Sequence, residues 1–163
     1  MIRVGFGEDT HRLQEGRRLV LGGVEIENEL GLLGHSDADV LIHAVIDALL
    51  GAAALGDIGQ LFPDTDEAYR GISSRLLLRH VSKLLRLKGF DIGSVDATLI
   101  AQKPKLAPFR DAMRLNIAND LDIDLSLVSV KFTTPEHVGP EGRLECMTAR
   151  AVAVIDKART RLL

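Results

Sequence analysis

Residues 36–55 read SDADVLIHAVIDALLGAAAL, and this stretch predicts a long helix. Ser36 is suited to cap its N-terminus, and the two aspartates that follow would lie near the positive end of the helix dipole. Gly56 is expected to end the helix, which places it at about 37–55. The small residues at 51–54 favour close packing of this helix against a neighbouring element.

Strands are predicted before this helix. Residues 2–6 are rich in β-forming side chains, and a turn follows them. Residues 18–21 and 24–26 flank Gly22-Gly23, which is a typical two-residue hairpin turn. Residues 31–36 carry glycines and are expected to form a loop.

Helices and strands alternate after residue 56. Apolar residues at helical spacing predict helices over 73–87 and 107–121, and β-rich segments predict strands over 95–101, 128–133 and 146–155. This order of elements predicts an α+β fold, an α/β sandwich in which helices cover one face of a mixed sheet.

Composition favours one soluble domain over residues 1–163, with 46% hydrophobic residues and a formal charge of −3. Basic residues are scattered, which argues against nucleic-acid binding. The single cysteine cannot form an internal disulfide. Because the sequence lacks a signal-peptide pattern and a long apolar run, we expect a cytoplasmic protein with no membrane association.

Asp9, His11 and His43 are candidate ligands of a catalytic zinc. Two imidazoles and one carboxylate leave a coordination position open, whereas a structural zinc usually has four protein ligands, often cysteines. In extended backbone Asp9 and His11 would point to the same side. The alternative is that His43 packs in the core of its helix and that Asp9 is a turn residue.

Asp39 and Asp47 lie four residues before and after His43 on the predicted helix. A carboxylate that accepts the second N–H of a ligating imidazole would orient it, so either aspartate is a candidate for this role. The alternative is an ion pair on the helix surface, which contributes little to stability.

Three further segments could contact an anionic substrate or a second cation. His35 and Ser36 precede a helix N-terminus, where an anion is favoured, although an ordinary capped helix has the same pattern. Glu136 is suited to a hard divalent cation, and the threonines before it could simply be strand residues. Residues 101–106 offer backbone donors and acceptors in a turn, suitable for the edge of a base.

Taken together, these segments resemble the 2-C-methyl-D-erythritol 2,4-cyclodiphosphate synthase family over nearly the whole chain. Five motifs carry the resemblance in order and spacing: Gly7-x-Asp9-x-His11, GHSDADVLIHA at 34–44, LLGAAALGDIG at 49–59 followed by FPDTD at 62–66, Ala101-Gln102-x-Pro104-Lys105, and Lys131-x-Thr133-Thr134-x-Glu136.

The resemblance implies a cyclisation that releases CMP. The 2-phosphate of 4-diphosphocytidyl-2-C-methyl-D-erythritol 2-phosphate would attack the β-phosphorus within the same molecule, in a step of non-mevalonate isoprenoid biosynthesis. Asp9, His11 and His43 would hold Zn²⁺, and Glu136 would hold Mg²⁺ or Mn²⁺ at the substrate diphosphate. His35 and Thr134 would stabilise the charge that develops in the transition state.

The resemblance also implies a substrate-binding set, a ferredoxin-like relationship of the fold, and a homotrimer with active sites between subunits. The substrate-binding residues implied are Ser36, Asp57, Ile58, Gly59, Phe62, Asp64, Asp66, Ala101, Gln102, Pro104, Lys105, Leu106, Thr133 and Arg143.

Two positions depart from the family pattern. His137 stands where many members carry lysine, so a phosphate contact there would depend on pH. Pro140 stands where some members place an aromatic residue at a central cavity for an isoprenoid diphosphate, and Arg143 remains at a position linked to that cavity.

Three other interpretations compete with the cyclase. A zinc hydrolase of phosphate esters would use the same three ligands and consume water. A non-catalytic trimer would use its metal only to hold the fold. Fusion to the preceding transferase of the pathway is the third, and at 163 residues we do not expect that domain.

Overall fold

The computed structural model describes residues 1–157. The last six residues of the predicted 1–163 domain lie outside this range. Within it the strands are β1 Ile2–Glu15, β2 Leu19–Leu21, β3 Val24–Ile26, β4 Leu30–Leu32, β5 Phe90–Ile100, β6 Val128–Thr133 and β7 Cys146–Lys157. The α-helices are α1 Val40–Ala53, α2 Ile58–Leu61, α3 Ser74–Leu87, α4 Arg110–Leu121 and α5 Gly139–Gly142.

Five of these strands form one mixed sheet in the order β4-β1-β7-β5-β6. The pair β5–β6 is parallel and the other neighbours are antiparallel. Strands β2 and β3 form a separate hairpin across Gly22-Gly23, as predicted. The prediction of a mixed α+β fold is therefore confirmed, and the ferredoxin-like relationship stays a prediction.

Helix α1 lies against β1 at very short range. A Cβ added to Gly5 would lie 2.0 Å from the carbonyl oxygen of Ala48, and one added to Gly7 would lie 2.1 Å from that of Ala44. The glycines and the small helix residues together allow this approach, as the small-residue stretch at 51–54 had suggested. The next residues on the same face of β1, Asp9 and His11, are thereby brought beside α1.

The two faces of β1 differ sharply in burial. Helix α1 is buried except at Asp47 and Gly51, and its aliphatic side chains form the centre of the core. The opposite face of β1 presents Ile2, Val4 and Phe6, which are 71%, 65% and 61% exposed. Helices therefore cover one face of this strand and leave an apolar face uncovered.

Several predicted boundaries were wrong. Helix α1 begins at Val40, and Asp39 rather than Ser36 caps it, because Ala38 has a φ of 56° and cannot continue a right-handed helix. Strand β1 continues to Glu15, so Asp9 and His11 lie within the strand and not after it. The predicted loop at 31–36 overlaps β4.

The later elements follow the predicted pattern more closely. Helix α3 agrees with the prediction to within one residue, and β6 matches it fully. Strand β5 begins five residues earlier than predicted, and the 107–121 helix is divided into a 3-10 turn and α4. Among the described helices, none has the length and apolar character needed to cross a membrane.

Candidate active site

Asp9, His11 and His43 converge at one point between β1 and α1. Asp9 Oδ2 lies 2.9 Å from His11 Nε2 and 3.1 Å from His43 Nδ1, and the two ring nitrogens are 3.1 Å apart. All three side chains are mostly buried. One possible ligand atom from each residue therefore lies within 4.8 Å of the other two, as a shared ion would require. We call Asp9, His11 and His43 the triad.

Hydrogen bonding leaves the facing nitrogen of His11 free to act as a ligand. His11 Nδ1 lies 2.7 Å from the carbonyl oxygen of Leu33. Because a carbonyl can only accept, Nδ1 carries the hydrogen, and in the neutral ring Nε2 presents its lone pair to the triad. The backbone of the loop before α1 therefore orients this histidine.

The triad fits a tetrahedral zinc in donor type and spacing. Zinc bonds of about 2.0–2.2 Å separate neighbouring ligand atoms by roughly 3.3 Å, close to the three distances here. One carboxylate oxygen and two imidazole nitrogens form an ordinary catalytic zinc ligand set with an open position. The residues present thus suit a divalent cation that also binds substrate.

Protons compete with a metal for this site. Burial alone would raise the pKa of Asp9, but hydrogen bonds and charge from the two histidines outweigh burial and hold that pKa well below its usual range. Burial alone would lower the pKa of His11, but its interactions with Asp9 raise that pKa above its ordinary value. A metal ion must therefore displace a proton from His11 when the pH is low.

Neither Asp39 nor Asp47 accepts a hydrogen bond from the His43 ring, so neither of these candidates has the orienting role. Asp39 accepts hydrogen bonds from the backbone N–H groups of Gly22, Gly23 and Ile42, which fixes the hairpin to the start of α1. Burial, with the charge of Asp37 nearby, raises the pKa of Asp39 to about 6. Asp47 accepts from the N–H of Ile58. Both carboxylates therefore accept hydrogen bonds from backbone N–H groups and stabilise the local backbone.

His43 instead contacts a serine that the sequence did not single out. Ser74 Oγ, at the start of α3, lies 2.8 Å from His43 Nε2, and Ser36 Oγ lies 3.2 Å from the same atom. Ser74 also bonds to Asp37. No local pattern signals this pairing, because residues 43 and 74 are 31 positions apart.

One cavity of about 400 Å³ opens on the triad. It brings together nine predicted site residues, namely Asp9, His11, His35, Ser36, His43, Ile58, Gly59, Phe62 and Asp64. Tyr69 and Leu77 also line it and were not predicted. His35 Nε2 donates to the carbonyl oxygen of Asp66 at 3.0 Å, which ties the loop before α1 to the loop after α2.

A second cavity of about 450 Å³ lies at the ends of β5 and β6. It contains seven predicted residues, namely Ala101, Gln102, Pro104, Lys105, Leu106, Thr133 and Thr134. Sheet pairing runs from Thr10 to Thr148, then to Ile100 and to Thr133. Three strand spacings therefore separate Thr10 from Thr133 by about 14 Å within one chain.

Four predicted residues lie in the linings of neither cavity. Asp57 and Asp66 cap short helical turns, accepting from the N–H groups of Gln60 and Ala68. Glu136 is exposed and accepts the hydroxyl hydrogen of Thr134 at 2.6 Å. Arg143 is exposed and pairs with Glu145 at 2.7 Å. Within residues 1–157, Glu136 has no additional carboxylate or histidine close enough to complete a three-residue metal site.

The fold and the triad place this chain among α+β proteins in which two histidines and one carboxylate, at the edge of a cavity, could hold a metal ion. Residues 2–156 match the family model described as the YgbB family. The chain therefore belongs to the YgbB family. Its curated relatives there are named 2-C-methyl-D-erythritol 2,4-cyclodiphosphate synthase, so the resemblance given by the motifs is confirmed.

Two of these relatives illustrate the extent of the match. The synthase of Syntrophomonas wolfei is 59% identical over 157 residues, which cover 96% of this chain and 100% of the relative. The synthase of Chloroherpeton thalassium is 58% identical over 156 residues, covering 96% and 99%.

Solved structures agree with the fold. The bifunctional IspDF of Campylobacter jejuni superimposes with a TM-score of 0.91 at 44% identity, covering 95% of this chain and 42% of that one. The CDP complex of IspF from Plasmodium falciparum gives a TM-score of 0.85 at 37% identity, covering 97% of each chain.

Proposed function

We propose that this chain converts 4-diphosphocytidyl-2-C-methyl-D-erythritol 2-phosphate to 2-C-methyl-D-erythritol 2,4-cyclodiphosphate and CMP. The observation that carries the proposal is the triad at the edge of a cavity of about 400 Å³, in a chain that is 55–59% identical to three named synthases of this reaction. Both reacting groups belong to one anionic molecule. Positioning and neutralisation of charge therefore supply most of the rate enhancement.

Asp9, His11 and His43 would hold Zn²⁺. When bound, this ion supplies Lewis-acid polarisation of a phosphate oxygen. The residues of this chain hold the two rings so that His11 Nε2 and His43 Nδ1 both face the position of the metal. The hydrogen bond from His11 to Leu33 supports this role.

His35 and Ser36 are proposed to bind phosphate oxygens beside the triad. Both line the triad cavity. His35 Nε2 donates to the carbonyl oxygen of Asp66, so Nδ1 can donate to a phosphate oxygen only when the ring is doubly protonated. Ile58, Gly59, Phe62 and Asp64, which line the same cavity, are proposed to hold the erythritol part, with Asp57 and Asp66 shaping the loops around it.

The second cavity is proposed to receive the cytidine. Ala101, Gln102, Pro104, Lys105, Leu106 and Thr133 offer backbone groups and a largely apolar surface for a base. A relative from Plasmodium falciparum has been solved as a CDP complex, which supports a nucleotide diphosphate as ligand. Arg143 is proposed as a further contact of the substrate.

Glu136 and Thr134 are proposed to act on the diphosphate between the two cavities. Glu136 would hold Mg²⁺ or Mn²⁺, and Thr134 would donate to a phosphate oxygen. A hydroxyl has one hydrogen, and that of Thr134 is donated to Glu136. Thr134 must therefore release Glu136 when substrate binds.

A homotrimer with sites between subunits is the proposed assembly. Two features support it. The strands that end at the two cavities are not neighbours in the sheet, and three strand spacings, about 14 Å, separate Thr10 from Thr133. The face of β1 that carries Ile2, Val4 and Phe6 is uncovered. A second copy would bring its cytidine cavity to the triad of the first. A cytoplasmic location is proposed with it.

The deciding experiment scores both products. Purified protein is incubated with the diphosphocytidyl substrate and Mg²⁺, and CMP and the cyclic diphosphate are quantified together. Equimolar CMP and cyclic product support the cyclase. CMP with the acyclic 2,4-bisphosphate, in which water has added to the β-phosphorus, would establish a hydrolase, and no CMP would overturn both enzymes.

A further inference from the structure

Ser74 joins the triad to a carboxylate that lies outside it. Its side chain is fully buried at the first residue of α3. Its Oγ lies 2.8 Å from His43 Nε2 and also bonds to Asp37 Oδ1, while its backbone N–H donates to Asp37 Oδ2 at 2.9 Å. Hydrogen bonds therefore connect Asp37 to Ser74 and Ser74 to His43.

The carboxylate of Asp37 fixes the direction of the hydrogen bonds between Asp37, Ser74 and His43. Both oxygens of Asp37 receive backbone N–H groups, from Asp39 and Ser74, which is the arrangement of an ionised carboxylate that only accepts. The Ser74 hydroxyl must then donate its one hydrogen to Asp37. Towards His43 the same oxygen can only accept, so His43 Nε2 has to be the N–H donor.

The tautomer of His43 follows from this direction. With the hydrogen on Nε2, the neutral ring presents the lone pair of Nδ1 to the triad. Ser36 Oγ also lies 3.2 Å from Nε2. Among its described bonds the Ser36 hydroxyl donates to no other acceptor, so Ser36 could be either donor or acceptor towards His43 and does not determine the tautomer. Ser74 is the member that decides which nitrogen can bind a metal.

We propose that Ser74, held by Asp37, is a positioning residue that fixes the tautomer and the ring orientation of His43 for metal binding. This inference rests on the proposed zinc site. The Asp37 carboxylate also joins the N-terminus of α3 to the segment before α1, because it accepts the N–H groups of Ser74 and Asp39. The His43 ring is therefore held by contacts with both α1 and α3.

The test compares two buried serines of α3. Ser74→Ala removes the hydrogen bond to His43, whereas Ser82→Ala removes a bond from Ser82 Oγ to the carbonyl oxygen of Leu121, two helical turns from the site. Zinc affinity is measured by competition with a chromophoric chelator, and folding by circular dichroism. We expect Ser74→Ala to bind zinc roughly 10–100-fold more weakly and Ser82→Ala to bind it like the wild type.

A second measurement reads the tautomer without any metal. The nitrogen chemical shifts of the His43 imidazole should report a hydrogen on Nε2 in the wild type at a pH where the ring is neutral. In Ser74→Ala and in Asp37→Asn a mixture with the Nδ1 tautomer should appear. These chemical shifts test the role of Ser74 even if Ser74→Ala binds zinc too weakly for its affinity to be measured.

The outcomes separate this inference from the function on which it rests. If wild type binds zinc and Ser74→Ala binds it equally well with an unchanged tautomer, Ser74 has no positioning role and the zinc site stands. If Ser82→Ala loses affinity as much as Ser74→Ala, the effect is one of helix packing, and the inference is overturned. If the wild type binds no zinc, the zinc site fails and the inference fails with it.

Discussion

Asp9 and Asp120 are two carboxylates withdrawn from solvent, and their surroundings differ in one decisive respect. Asp120, on α4, receives Arg75 at 2.6 and 3.0 Å and Arg79 at 2.7 Å, and its side chain is 2% exposed. Asp9 has no described guanidinium or ammonium partner and is surrounded by two imidazoles. The negative charge of Asp120 is neutralised by two arginines of the same chain. Asp9 faces two histidines instead, so a cation from solution could bind between them.

The partners of a buried carboxylate distinguish a structural role from a functional one. A buried charge that is paired with permanent cations holds elements together, and here Arg75 and Arg79 join α3 to α4. A carboxylate that is grouped with histidines can exchange a proton for a metal ion. Substitutions at the two sites should therefore affect different properties of the protein.

The largest expected effect is on turnover at the triad. Asp9→Ala and His43→Ala should each lower CMP release by about 10³-fold or more, because Lewis-acid stabilisation of several kcal/mol is lost. The free energy of unfolding of the metal-free protein should change by only about 1–2 kcal/mol. Turnover is followed by CMP release and assembly by sedimentation. Retained activity in His43→Ala would remove it as a metal ligand.

The matched change at the structural site is Asp120→Ala. It leaves two partly exposed arginines without their carboxylate and should lower the free energy of unfolding by roughly 1.5–3 kcal/mol, the usual range for lost hydrogen bonds to a charged group. Denaturant titration measures this loss. Zinc affinity of the folded protein should stay within about twofold of the wild type, since Asp120 contacts neither the triad nor its cavity. A large loss of zinc affinity would show that the two sites are coupled.

A smaller effect is expected at Thr134, in the second cavity. Thr134→Ala should lower kcat by roughly 10–100-fold and leave KM nearly unchanged, because its hydroxyl is proposed to act on charge that develops in the transition state. Thr133→Ala, one residue earlier in the same cavity, should instead raise KM. Steady-state kinetics on both variants separate these roles, and an unchanged kcat in Thr134→Ala would exclude the assigned one.

The smallest effect is the pH dependence of zinc affinity. The raised pKa of His11 means that its ring holds a proton at a pH where an ordinary histidine has lost it. Zinc affinity should therefore fall by up to about tenfold per pH unit as the pH decreases through this raised pKa, and level off above it. Chelator competition across pH 5 to 9 measures the profile. An inflection below the ordinary histidine pKa would contradict the raised value.

The sequence predicted those parts of the fold that depend on local pattern. Gly22-Gly23 predicted the hairpin, because two glycines between apolar runs favour one type of turn. The amphipathic spacing of 73–87 predicted α3 to within one residue. The two-residue spacing of Asp9 and His11 predicted their shared side.

Features that depend on distant partners were missed. Strand β1 extends through the polar residues 8–12 because β7 pairs with it along that whole stretch, which is a non-local cause. Helical spacing offers Asp39 and Asp47 as partners of His43, whereas the observed partner is Ser74, on another helix. The motifs indicated two sets of substrate-binding residues, but only the sheet order shows that they occupy separate cavities.

The most direct test of the central claim, that the triad is a catalytic metal site, is to remove and restore zinc in one preparation. Wild-type protein is treated with a chelator and dialysed, and its CMP release, circular dichroism and sedimentation are measured before and after stoichiometric Zn²⁺ is added. We predict that turnover disappears and returns in proportion to bound zinc, while fold and assembly persist throughout. Full turnover without zinc, or unfolding on its removal, would contradict the claim.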